Sequence, residues 1–112
     1  MDLPAVIESS SSAESVELIL QIDSTLEAFA GHFDSIGIIP GVVQIQWAIE
    51  FARLYVNEKI TADITEIKKL KFQQVIQADK QVKLTLEVKD GSLTFTFKSA
   101  NHKHSSGKIL LN

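Results

Sequence analysis

Gly31-His32-Phe33-Asp34-Ser35-Ile36-Gly37-Ile38-Ile39-Pro40-Gly41 runs straight into Val42-Val43-Gln44-Ile45-Gln46-Trp47-Ala48-Ile49-Glu50-Phe51-Ala52-Arg53-Leu54-Tyr55-Val56-Asn57. Glycines at 31, 37 and 41 and a proline at 40 favour irregular backbone, so the first part reads as a shaped loop. The second part has no breaker. Its polar residues Gln46, Glu50, Arg53 and Asn57 recur at spacings of four, three and four, one stripe along a helix. Nearly everything else there is apolar, with Gln44 the only polar residue off the stripe. A helix so apolar around its circumference is expected to be covered on most sides, and its Trp47-Phe51-Tyr55 row to be core packing.

Strand patterns flank this loop and helix. Upstream, Val16, Leu18, Leu20 and Ile22 alternate with polar residues except at Ile19, which predicts a half-buried strand. The polar Glu8-Ser9-Ser10-Ser11-Ser12 predicts a loop, so residues 1–14 are expected to be a loop or partly ordered lead-in. Ser24 to Ala30 reads as a turn. Downstream, Ile64-Thr65-Glu66-Ile67 and Leu70-Lys71-Phe72 predict a strand with a bulge near Lys68-Lys69, where the alternation slips. Gln77 to Lys80 is a connection. Val82, Leu84, Leu86 and Val88 then alternate up to Asp90-Gly91, a type I′ turn signal, and Leu93, Phe95 and Phe97 resume the alternation. A two-residue loop there sets Lys89 against Ser92, Val88 against Leu93, Leu86 against Phe95 and Leu84 against Phe97, with the apolar pairs on one face. After Asn101-His102-Lys103-His104, Gly107 to Leu111 predicts a last strand.

The element order gives an α+β domain, its helix lying on an antiparallel sheet. At 112 residues, 1–112 is expected to be a single domain. A net charge of -3 lacks the basic excess that phosphate backbones select, so nucleic acid is not an expected partner. Cysteine is absent, which excludes disulfides, thiolate metal sites and a thiol nucleophile. The start has no positively charged leader pattern and no apolar run spans a bilayer, so a cytoplasmic location with no membrane partner is expected.

The run from Gly31 to Ala48 resembles the active-site region of the hotdog-fold 3-hydroxyacyl-thioester dehydratases, where a Gly-His-Phe-Pro-Gly loop leads through a Pro-Gly pair into a central helix. Leu70-Lys71-Phe72 and Ser105-Ser106-Gly107-Lys108-Ile109 are similar to strand signatures of the aryl-polyene dehydratase-like branch. The resemblance spans nearly the whole chain. It implies a hotdog domain, a curved antiparallel sheet wrapped around one long central helix. It also implies a homodimer or higher homo-oligomer, or a heterodimer with an active homologue, with active sites at the subunit interface. Substrates would be acyl thioesters on the phosphopantetheine of acyl carrier protein or on CoA, with no other cofactor and no metal.

By the same resemblance His32 removes a C2 proton from a 3-hydroxyacyl thioester, while a helix carboxyl of the other subunit protonates the departing hydroxyl. An ordinary imidazole pKa near about 6.5 suits the base role. Phe33, Gly41 and Val42 fall at substrate-binding positions, and a free N–H at the helix start could face the thioester carbonyl. Two departures stand out. Gln46 holds the carboxylate's place fourteen residues after His32, and an amide is no acid. Glu50, one turn on, either relays a proton through Gln46 or pairs with Arg53. Asp34-Ser35 also replaces Pro-Gly.

Besides a dehydratase, the pattern admits a non-catalytic acyl-binding subunit or a thioesterase using Glu50. His102 and His104, two apart near a strand end, are expected to be exposed polar residues rather than a metal pair, since no third ligand has recognisable spacing. Lys68, Lys69 and Lys71 could attract an acidic carrier protein or a phosphopantetheine phosphate, or form a solvated basic strand.

Overall fold

In the computed structural model, which describes residues 3–26, 37–60 and 64–111, the Asp90-Gly91 turn closes the predicted hairpin. Both turn residues have positive φ (52° and 76°), as a type I′ turn requires. The hairpin joins β4 (Lys80–Lys89) to β5 (Ser92–Ser99), with Val88 opposite Leu93, Leu86 opposite Phe95 and Leu84 opposite Phe97, the register expected. On its inner face Leu84, Leu86, Phe95 and Phe97 are fully buried.

Around this hairpin a six-stranded antiparallel sheet forms, in the order β1-β2-β4-β5-β6-β3. Its other strands are β1 (Ala5–Ser11), β2 (Ser15–Ile22), β3 (Ile64–Phe72) and β6 (His102–Leu111). The predicted lead-in is corrected by β1. Glu8 to Ser11 pair with β2, because a polar edge strand needs only a neighbour's free N–H and C=O groups and no apolar alternation of its own. In β2 the buried residues are Val16, Leu18, Leu20 and Ile22, as the alternation predicts.

Two irregularities shape the β3 side. The slip expected near Lys68-Lys69 is a register shift between Lys68 and Lys71, with Lys69 at φ 55°. In β6, Phe97 faces Ser105 but Lys98 faces Lys103, which leaves His104 as an extra residue in a bulge. The bulge turns His104 and Ser105 inward together, and both are buried. Exposure of His104 is thus corrected: a bulge breaks the period of two that the strand pattern assumed.

The helix α1 (Gly41–Tyr55) starts one residue earlier and stops two earlier than its apolar pattern suggested. Val56 and Asn57 N–H both turn back to the Ala52 carbonyl at 2.9 Å and end it. Its buried face is Gln44, Trp47, Ala48, Phe51 and Ala52, a stripe of i, i+3, i+4, i+7 and i+8, which packs on β4 and β5. Coverage on most sides does not hold within the chain. Val42 and Leu54 are 63 % and 60 % exposed on the side away from the sheet.

Candidate active site

Pro40 caps the helix, and its carbonyl accepts from Val43 and Gln44 N–H at 3.1 and 3.2 Å. The N–H groups of Gly41 and Val42 precede these bonds, and no partner for them occurs among the described residues. They carry the positive end of the helix dipole. The segment before the helix is fixed by the β3–β4 connection: Ile39 N–H donates to the Ile76 carbonyl at 2.9 Å and Ala78 N–H to the Gly37 carbonyl at 3.1 Å. Between them lies a pocket of about 360 Å³, walled by Ile38, Ile39, Pro40, Gly41, Phe72 and Val75, with the Gln44 amide as a polar group in the wall.

Gln44 was visible in the sequence only as an oddity off the polar stripe. It occupies a core position and is 4 % exposed. Its Nε2 donates to the Ile39 carbonyl at 3.1 Å, and its Oε1 accepts from the Ser105 hydroxyl at 2.6 Å. The cross-strand row Leu84–Phe97–Ser105 puts that hydroxyl on the inner face. One side chain thereby ties the segment before the helix to β6.

The opposite wall is pinned through His104. Its carbonyl accepts from Gln73 and Gln74 N–H at 2.9 and 3.3 Å. Its Nδ1 donates to the Gln74 carbonyl at 3.1 Å, so in the neutral ring Nε2 accepts from the Ser99 hydroxyl at 3.0 Å. With both ring nitrogens engaged, His104 is not open to a metal. Among the described residues no cluster of three or more His, Cys, Asp or Glu could hold one.

Phe72 closes the pocket from the edge strand. A Cβ on Gly41 would meet its ring at 2.6 Å, so glycine at this position is what lets the ring lie against the helix start. Of the other residues expected at the site, His32 and Phe33 lie outside the described residues. Gly41 lines the pocket, whereas Val42 faces outward. Gln46 is exposed. Glu50 accepts a 2.9 Å hydrogen bond from Arg53 Nη1, and Arg53 Nε donates to the Ile60 carbonyl at 2.7 Å. Of the two roles open to Glu50, pairing with Arg53 is the one present, and among the described residues no hydrogen bond joins it to Gln46.

This strand order, with the single helix of the described residues inserted between β2 and β3 and laid on the sheet, defines a hotdog fold. The chain belongs to the ApeI-like family, whose profile, described as ApeI dehydratase, matches residues 8–108. Among solved structures it is similar to the dehydratase heterocomplex ApeI:P from Xenorhabdus doucetiae, at 28 % identity over 96 % of each chain with a TM-score of 0.86. It is also similar to an uncharacterised protein from Erwinia carotovora subsp. atroseptica, at 32 % identity over 100 % of this chain and 96 % of that one, with a TM-score of 0.77. A protein from Pyrococcus horikoshii at 16 % identity, covering 96 % of this chain and 79 % of that one, shares the fold with a TM-score of 0.60. No curated protein matches the chain. Among the described residues no helix is long and apolar enough to cross a membrane.

Proposed function

We propose that the chain is one subunit of a 3-hydroxyacyl-thioester dehydratase. It supplies the base, His32, and the carbonyl-holding helix start, while a second subunit supplies the acid. The observation that carries this reading is the state of the helix stripe. Gln46 stands where the family has a carboxylate, and Glu50 is held by Arg53, so among the described residues the helix offers no unpaired carboxyl group.

In the reaction, an imidazole nitrogen of His32 takes the C2 proton. The electron pair of that bond becomes the C2=C3 bond, the C3–O bond breaks, and the hydroxyl leaves as water with the proton donated by the acid. The product is a trans-2-enoyl thioester. Charge gathered on the thioester oxygen in between would be met by the Gly41 and Val42 N–H groups. Donors of that kind are each worth about 10²–10³-fold in rate.

A second subunit would join along β3. This edge of the sheet exposes Ile64, Leu70 and Phe72, whereas the β1 edge exposes Ile7 and then runs through Glu8-Ser9-Ser10-Ser11. That the similar ApeI:P structure is a dehydratase heterocomplex supports an unlike partner, which in this reading would bear the missing carboxylate.

The test is to offer 3-hydroxyacyl thioesters of acyl carrier protein and of CoA to the purified chain, following enoyl absorbance and free thiol together. Slow enoyl formation by the chain alone is expected, with Gln46→Glu raising it by about 10²–10⁴-fold, the usual contribution of a positioned general acid. No gain in Gln46→Glu sinks the missing-acid account. Thiol release without enoyl product would make the protein a thioesterase. Acyl binding with neither change, alone or with a carboxylate-bearing homologue, would leave a non-catalytic subunit.

A further inference from the structure

Ser99 ends β5, and His104 lies just inside β6 across the turn that joins the two strands. Alternation along β5 carries the inner face from Phe95 through Phe97 to Ser99, and the bulge in β6 turns His104 to the same side. The Ser99 hydroxyl is 3.0 Å from His104 Nε2, and the Gln74 carbonyl oxygen is 3.1 Å from Nδ1. A carbonyl oxygen can only accept, so it holds the proton on Nδ1 and leaves the Nε2 lone pair directed at the hydroxyl. Activation of a serine by an imidazole needs these parts: a nucleophile, a base within hydrogen-bond reach, and a third group that keeps the base in one tautomer. Here a main-chain carbonyl supplies tautomer and orientation, without the negative charge that a carboxylate would add.

The pair is not sealed in the core. Ser99 is half-buried, and with His104 it lines a hollow of about 390 Å³ beside the β3–β4 connection. Val75 and Val82 give this hollow an apolar side. Lys80, Gln77 and Gln81 line it as well, and their ammonium and amide groups are donors for an oxygen that gathers negative charge. The hollow shares only Gln74 and Val75 with the pocket under Phe72, and no residue of α1 lines it.

We infer that Ser99 and His104 form a second catalytic site, which hydrolyses a small carboxylic ester or thioester by way of an acyl-serine. The chemistry uses neither His32 nor any residue of the helix. His104 Nε2 takes the hydroxyl proton as Ser99 Oγ bonds to the acyl carbon, and the carbonyl electron pair moves onto oxygen. When that pair returns, the C–O or C–S bond breaks and the imidazolium passes its proton to the leaving alkoxide or thiolate. His104 then takes a proton from water as the water oxygen attacks the acyl carbon, and the Ser99 ester breaks with its oxygen reprotonated. The net change is ester or thioester plus water to acid plus alcohol or thiol. The size of the hollow suits an acyl group of a few carbons.

The test treats the full chain with a fluorophosphonate and, separately, with p-nitrophenyl acetate and a short acetyl thioester, followed by intact mass and peptide mapping. One phosphonyl adduct per chain is expected on Ser99, together with a nitrophenol burst of about one equivalent that leaves an acetyl group on the same residue. Ser99→Ala should abolish both, and with them the release of thiol from the acetyl thioester. Histidine side chains hydrolyse activated esters slowly without any site, so the burst and the mapped residue decide, not the steady rate. His104→Gln should slow labelling by about 10²–10⁴-fold, the usual contribution of a positioned base. Because that variant also loses the bond to Gln74 and can unfold, Ser99→Cys gives an independent reading. It would carry the only cysteine of the chain. A thiol beside an imidazole ionises below the usual pKa near about 8.5, so at pH about 6 it should react with iodoacetamide at least about tenfold faster than the exposed Ser9→Cys.

The assignment is overturned if Ser99 carries no phosphonyl group, if adduct or burst survives Ser99→Ala, or if the two cysteines react alike. Thiol release that persists in Ser99→Ala places the hydrolysis elsewhere and overturns it too. Enoyl formation is not read in any of these measurements, so their failure leaves the dehydratase reading where it stands.

Discussion

Gln44 shows how a single polar residue in a core position can set the shape of a site. Replacing it with methionine keeps the length of the side chain but removes both hydrogen bonds. The fully buried Ser105 hydroxyl is then left without its acceptor. A buried group left unpaired costs about 1–3 kcal/mol, so Gln44→Met should lower the urea midpoint accordingly. Adding Ser105→Ala should recover part of the loss, because the stranded donor is gone. If the double variant is the sum of the two single ones, the pair is not coupled and the tie between β6 and the helix start is only apparent. The position was open to sequence reasoning. Gln44 falls on the same helical stripe as Trp47, Ala48, Phe51 and Ala52, so its burial followed from spacing. Its partner did not, because Ser105 lies 61 residues away on a strand whose facing depends on a bulge.

At the level of elements, local chemistry and pairing divide what could be read in advance. The β4–β5 hairpin was legible to the residue because Asp90-Gly91 admits one turn type, and that turn fixes every cross-strand pair beyond it. Gly91 carries this constraint. Gly91→Ala puts a Cβ on a residue at φ 76°, with an expected cost of about 1–2 kcal/mol in denaturant unfolding. An unchanged midpoint would mean that the turn relaxes to another type. By contrast, β1 was not legible. Its Glu8-Ser9-Ser10-Ser11 segment has no apolar period, and its strand form depends on β2 offering an open edge. His104 was misread for a related reason, since an extra residue in one strand reverses the facing of those beyond it. Of the expected site residues, Gly41 lies in the pocket wall, Val42 and Gln46 face outward, and Glu50 is tied to Arg53, whereas His32 and Phe33 lie outside the described residues. Motif spacing could place these residues along the chain, but partners such as Arg53 and Phe72 come from contacts that no motif encodes.

For the whole molecule, the two edges of the sheet differ in kind. The β1 edge exposes one large apolar residue, Ile7, ahead of the polar Glu8-Ser9-Ser10-Ser11, whereas β3 exposes Ile64, Leu70 at 38 % and Phe72 at 52 %. An edge strand with free backbone groups and exposed apolar side chains is a template for pairing with another chain. If the β3 edge joins subunits, Leu70→Glu should give a folded monomer in sedimentation equilibrium, with an unchanged far-ultraviolet spectrum. A variant that sediments like the parent would move the interface elsewhere.

The placement of the Phe72 ring has a thermodynamic consequence. The ring lies on the edge strand and also covers the start of the helix, so any protein that binds the edge touches the same group that admits a ligand to the pocket. Two binding events that share one movable group are linked, and the linkage is reciprocal: whatever factor the partner applies to ligand affinity, the ligand applies to partner affinity. Apparent ligand affinity should therefore depend on protein concentration, changing on dilution through the subunit dissociation constant. Trimming Phe72 to alanine should uncouple the two.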